Sequence, residues 1–142
     1  MSNAPKTTPS GKLVLIVTVN VKPGKEGIAT EALKVNQEHA NSDEAPGIHT
    51  FRLTRRLDSN GSFLPAFVIF EEYASVAALK EQLTSPGFQR FVKTLKENDV
   101  VDGEMKVEYL DGINLNLNLS IMARNRTGEY EATPGKIYEI EE

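Results

Sequence analysis

The stretch 67–91, FVIFEEYASVAALKEQLTSPGFQRF, constrains the chain more than any other, because it dictates a strand followed by two short helices. Phe67 to Phe70 is an unbroken apolar run of aromatic and β-branched side chains, the composition of a central strand covered on both faces. Glu71, Glu72 and Tyr73 are then expected to carry the chain out of the core. Ser75 offers a hydroxyl to cap the first helix, and Val76, Leu79 and Leu83 follow at the spacing of one buried stripe. Ser85 and Pro86 start the second. Serine accepts from the orphan amides of a first turn, while proline at the first helical position gives up no hydrogen bond. Phe88, Phe91, Val92 and Leu95 form its apolar face.

The rest of the chain supplies partners for this unit. Residues 1–11, rich in Pro, Ser, Thr and Gly, read as a mobile leader. Residues 13–21 form a strand with Leu13, Leu15, Val17, Val19 and Val21 on one face and Val14, Ile16, Thr18 and Asn20 on the other. Pro23-Gly24 turns the chain into a helix bearing Ile28, Ala32, Val35 and His39 on one side, with Ala29, Leu33 and Ala40 beside them. Pro46-Gly47 leads to a second strand over 48–57, where His49, Phe51 and Leu53 alternate with Thr50, Arg52 and Thr54. The loop Asp58-Ser59-Asn60-Gly61-Ser62 returns it to Phe67. Met105, Val107 and Tyr109 alternate with Lys106, Glu108 and Leu110 as a fourth strand. The order βαββαβ is the ferredoxin-like arrangement of an α+β protein with an antiparallel sheet.

That order predicts a homodimer. Two right-handed crossovers put the helices on one face of the sheet and leave the other uncovered. Strands one and three are apolar on both faces, so an open face would expose on the order of several hundred Å² of apolar surface, more than monomers usually tolerate. The same face of a second copy is the economical cover. Residues 12–110 make up this domain, and 111–142 an extension: a strand with Ile113, Leu115, Leu117, Leu119 and Ile121 on one face, then an extended arm.

Composition narrows the function classes. Sixteen basic against twenty acidic residues give a formal charge of −4, and no basic stripe offers a nucleic-acid surface. The absence of cysteine removes disulfides, thiolate metal sites and a cysteine nucleophile. No apolar run is long enough to span a bilayer, and the first residues lack the apolar segment of a signal peptide, so a soluble cytoplasmic protein without nucleic-acid or membrane partners is expected. There is no phosphate-binding glycine loop, nucleophile elbow or HExxH pair.

An apolar strand ending in Glu and an aromatic, a helix with Ala-Leu, then Ser-Pro and Phe, together with VKPGKEG at 21–27 and EAPGIHTFRL at 44–53, resembles the antibiotic biosynthesis monooxygenase domain over about residues 13–109. The resemblance implies a dimeric α+β barrel and a cofactor-independent oxygenase. Its aromatic or polyketide-like substrate would lie in the cleft between sheet and helices and pass an electron to dioxygen as its own anion. The lining would be Val17, Phe51, Phe67, Ile69, Leu79, Phe88 and Val92. Such chemistry requires an apolar pocket, a positioned base, and donors where negative charge accumulates.

The candidate catalytic residues are His49, Tyr73 and Gln82. His49 shares a strand face with Phe51 and Leu53 and is either a cleft base or a satisfied core histidine. His39, in the last turn of the first helix, either complements the helix dipole or serves as a base. Gln82 stands where many members of the resembled family carry His or Trp, and Tyr73 where Trp is common. Glutamine cannot act as a base near neutral pH, and each residue also has a purely structural reading. Glu71 is read first as a structural partner of Arg52, Arg55 or Arg56, and second as a buried general base. The haem-degrading branch of that family needs Asn, Trp and His where this chain has Val17, Gln82 and Val92, which disfavours haem degradation. Two other functions fit the same fold: a non-oxidative cyclase, dehydratase or decarboxylase, and a non-catalytic small-molecule-binding or assembly protein.

Overall fold

The computed structural model describes residues 4–113. The elements run β1 (Leu13–Asn20), α1 (Glu26–Ala40), β2 (Ile48–Leu57), β3 (Phe63–Tyr73), α2 (Val76–Thr84), α3 (Pro86–Glu97) and β4 (Lys106–Asp111). The strands form one antiparallel sheet in the order β2-β3-β1-β4. This is the ferredoxin-like α+β fold, with the strand that leaves α1 and the strand that leaves α3 on opposite edges. The expected strand at 113–121 and the arm beyond it lie outside the described residues, apart from Ile113, which is exposed.

Period-two alternation sets the core. Leu13, Leu15, Val17 and Val19 of β1 are buried, as are Phe67, Ile69, Glu71 and Tyr73 of β3, and they pack with Ala29 and Leu33 of α1, Leu79 of α2 and Leu95 of α3. Val14, Ile16 and Thr18 point the other way with Val68, Phe70 and Glu72, and remain half-buried or exposed. Among the described residues, no helix covers that face.

Local chemistry explains where the helices begin. Ser75 Oγ accepts from the Ala78 amide at 3.1 Å and Ser85 Oγ from the Phe88 amide at 3.2 Å, with Pro86 at the first helical position of α3. Gly47 is required where the chain enters β2. A Cβ there would sit 2.8 Å from Ala78 Cβ, so only glycine lets α2 approach.

Three expectations are corrected. β3 begins at Phe63 rather than at Phe67, and Glu71 and Tyr73 do not leave the core: they continue the inward alternation, 6% and 1% exposed. Glu71 pairs with no arginine among the described residues. Arg55 instead lies over the rings of Phe63 and Phe67, at 4.4 and 5.3 Å, and donates from Nε to the Leu64 carbonyl. Near the end of the expected leader, Ser10 donates from its backbone amide and its hydroxyl to Asp111 Oδ1, at 3.0 and 2.7 Å.

Candidate functional site in the groove between two helices

The two faces of α1 do different work. Ala29, Leu33, Asn36 and Ala40 are buried. Ile28, Ala32, Val35 and His39, one position round the helix from them, line an open groove of about 1130 Å³ together with Ser85, Pro86, Gly87, Arg90, Phe91 and Thr94 from the start and body of α3. Val35 is 65% exposed there, a large apolar side chain facing space rather than protein. His39, Glu44 and Ser85 also line a smaller hollow of about 200 Å³ that runs on towards Gly47, Ile48 and Gln82. The end of α1 therefore lies beside the start of α3, and the polar groups collect at that end.

Two amides sit at this junction. Asn36 and Gln82 are 6% and 5% exposed, and Gln82 Nε2 donates to Asn36 Oδ1 at 3.4 Å. No fully buried side-chain nitrogen or oxygen among the described residues lacks a partner. Asn36 also lines the groove, so the amide pair joins the groove to the smaller hollow that Gln82 lines. His39 Nδ1 stands 3.6 Å from Glu44 Oε2. A histidine within ion-pair distance of a carboxylate at the edge of an apolar groove is a candidate base.

A second cluster lies in the core beneath the helices. The Tyr73 hydroxyl donates to Glu71 Oε1 at 2.6 Å, and Glu71 pairs across the sheet with Leu15, whose other neighbour is Tyr109. Burial pushes the Glu71 carboxyl up to about 7, only partly offset by the bond from Tyr73. The Tyr73 hydroxyl is raised by burial and then by the adjacent carboxylate. Tyr109 is raised for the same two reasons, burial first and the charge of Glu71 second. This cluster lines neither hollow.

The structure separates the residues expected to act together. His49 falls at a register shift between Ile48 and Thr50. The bulge breaks its alternation with Phe51 and Leu53, so Phe51 is buried and His49 is exposed and lines neither hollow. Tyr73 is buried against Glu71, and Gln82 reaches the smaller hollow. Val17, Phe51, Phe67, Ile69 and Leu79 are packed into the core, and Phe88 and Val92 are half-buried. The expected cleft between sheet and helices is thus filled by side chains, and the open space lies one layer out, between α1 and α3.

Sequence reasoning passed over Asn36 and Arg90. The signal for Asn36 was its place at the i+7 position of the Ala29–Leu33 stripe, where a polar side chain must find a partner. Arg90 carried no signal beyond its helix.

The model of the antibiotic biosynthesis monooxygenase family matches residues 13–94 of the 142. The chain belongs to this family. Among solved structures, it is similar to a protein from Caulobacter crescentus CB15 named for antibiotic biosynthesis monooxygenase, with 28% identity, 73% of this chain and 92% of that chain covered, and a TM-score of 0.57. Similarly named proteins from Nitrosomonas europaea (20% identity, 72% and 91% covered, TM-score 0.61) and Deinococcus radiodurans (16%, 72% and 93%, 0.57) share the fold. Among curated proteins no match is found. Among the described residues, no helix of this antibiotic biosynthesis monooxygenase domain is long and apolar enough to cross a membrane.

Proposed function

We propose that this protein is a cofactor-independent monooxygenase-like enzyme that binds an aromatic or polyketide-like molecule in the groove between α1 and α3. The observation that carries the reading is the groove itself, with an apolar wall of Ile28, Ala32, Val35 and Phe91 and one polar end holding His39, Glu44 and Asn36. That arrangement meets the three needs of the chemistry: an apolar body site, a base, and amide donors beside it. His39 takes a proton from an acidic CH₂ flanked by aromatic rings. The resulting anion reduces dioxygen, one oxygen atom stays on the carbon as a carbonyl, and the other leaves as water with the two hydrogens lost from carbon.

The working unit in this reading is a homodimer, paired through the sheet face that the helices leave open and that carries Val14, Ile16, Val68 and Phe70. Oxygen uptake with a tricyclic phenol bearing such a CH₂ tests the activity. His39→Ala should lower turnover by roughly 10²-fold with the melting temperature unchanged, the usual scale for a positioned base. His49→Ala should leave turnover as it is. The reverse pattern would assign the base to His49 and move the site off the groove.

A second reading, a non-catalytic binding protein, draws on the packed state of Val17, Phe51, Phe67, Ile69 and Leu79. Tight binding of the same phenol with no oxygen uptake in the native protein would favour it. Product formed without oxygen would instead favour the cyclase, dehydratase or decarboxylase reading.

A further inference from the structure

The groove is lined by charges of both signs, and their pairing decides what they can bind. Glu44 faces His39 at 3.6 Å and Glu31 faces Lys34 at 3.9 Å. The Arg90 guanidinium has no ion-pair or hydrogen-bond partner among the described residues, and its Nη2 lies 3.9 Å from where a Cβ on Gly87 would stand. The guanidinium is thus folded back beside the first turn of α3. In that turn Pro86 has no N–H, and the amides of Phe88 and Gln89 are taken by Ser85 at 3.2 and 3.0 Å. The Gly87 N–H is left. Asn36, 6% exposed, lines the same groove from α1.

We propose that this end of the groove is a carboxylate subsite, so that the ligand is a flat apolar acid whose carboxylate meets Arg90, the Gly87 N–H and the Asn36 amide while its rings lie along Ile28, Ala32 and Phe91. A guanidinium matches a carboxylate with two parallel donors, and the start of a helix favours negative charge. The Asn36 amide offers a third donor, which a ligand without an acceptor would leave unused. The proposal rests on the reading that the groove is the binding site, and it adds the class of molecule that enters it.

Fluorescence titration of the full chain with anthracene-2-carboxylate and with the uncharged 2-hydroxymethylanthracene tests both at once. The native protein should bind the acid about tenfold more tightly than the alcohol, the low end for a charge-assisted bond at a partly open site. Arg90→Gln, on an exposed position that tolerates the change, should abolish the preference and leave the affinity for the alcohol unaltered. Val35→Trp, also at an exposed position, narrows the groove and should weaken both ligands. Equal affinity for acid and alcohol, or a preference that survives in Arg90→Gln, overturns the carboxylate subsite while the groove stands. Binding that Val35→Trp does not affect, or no binding of either compound, overturns the subsite together with the groove.

Discussion

Glu71→Gln should make the protein more stable at pH 8 and leave it nearly unchanged at pH 5. Glu71 is buried, it accepts from the Tyr73 hydroxyl at 2.6 Å, and its carboxyl rises from an ordinary 4.5 to about 7. The folded protein therefore holds the proton more tightly than the unfolded chain. Below about 4.5 both states are protonated and the stabilisation is complete. As pH rises to about 7 the unfolded chain releases the proton first, and stability falls by about 1.4 kcal/mol per pH unit, on the order of 3 kcal/mol in all. Above that value both states are ionised and the loss is constant. Glutamine has the same shape, still accepts from Tyr73 through Oε1, and cannot ionise. Urea unfolding of both proteins at pH 5 and pH 8 isolates the effect, because every other titrating group is common to the pair. The variant should gain about 2 to 3 kcal/mol on the native protein between the two pH values. A difference that is the same at both, or that favours the native protein at pH 8, would show that the buried carboxylate is stabilised by something other than Tyr73.

The amide pair offers a double-mutant test: Asn36→Leu or Gln82→Leu alone should cost about 1–3 kcal/mol by stranding its partner, while the double variant should recover part of that in thermal melts. Ser85→Ala removes the cap of α3 and should cost about 1 kcal/mol in urea unfolding, with helix content by circular dichroism nearly kept. Phe70→Lys, placed on the uncovered sheet face opposite Arg52, should turn a sedimenting dimer into a monomer; a native protein that already sediments as a monomer at micromolar concentration would remove the dimer.

Elements whose signals are local were legible in the sequence. The alternation of Leu13 to Val19 gives the central strand, Ser75 and Ser85 cap the helices they precede, and the order of elements gives the topology. The failures share a cause, which is that one side chain's position depends on register or on a distant partner. Glu71 and Tyr73 read as an exit from the core by residue type, yet they keep step with Phe67 and Ile69, and the partner that makes Glu71 tolerable is two residues away. His49 obeys the alternation on paper, but one bulge beside Ile48 cancels it. The groove was half legible: the line Ile28, Ala32, Val35, His39 was visible on α1, but its facing space rather than the sheet follows from how α3 packs, and no spacing within α1 encodes that.

The bond between Ser10 and Asp111 brings positions about a hundred residues apart in sequence into direct contact, at the border of the central strand β1 and the edge strand β4. The entrance and the exit of the domain are therefore neighbours, and a linker of a few residues could join them with little loop-closure entropy. The exposed reversal at Asp58 to Ser62, with Gly61 in a left-handed conformation, is the place where such a circle could be reopened. A circular permutant starting at Asn60 would turn the β2–β3 hairpin into a pairing between the two chain ends. It would keep all four strands in register and carry α1, α2 and α3 across one uninterrupted middle.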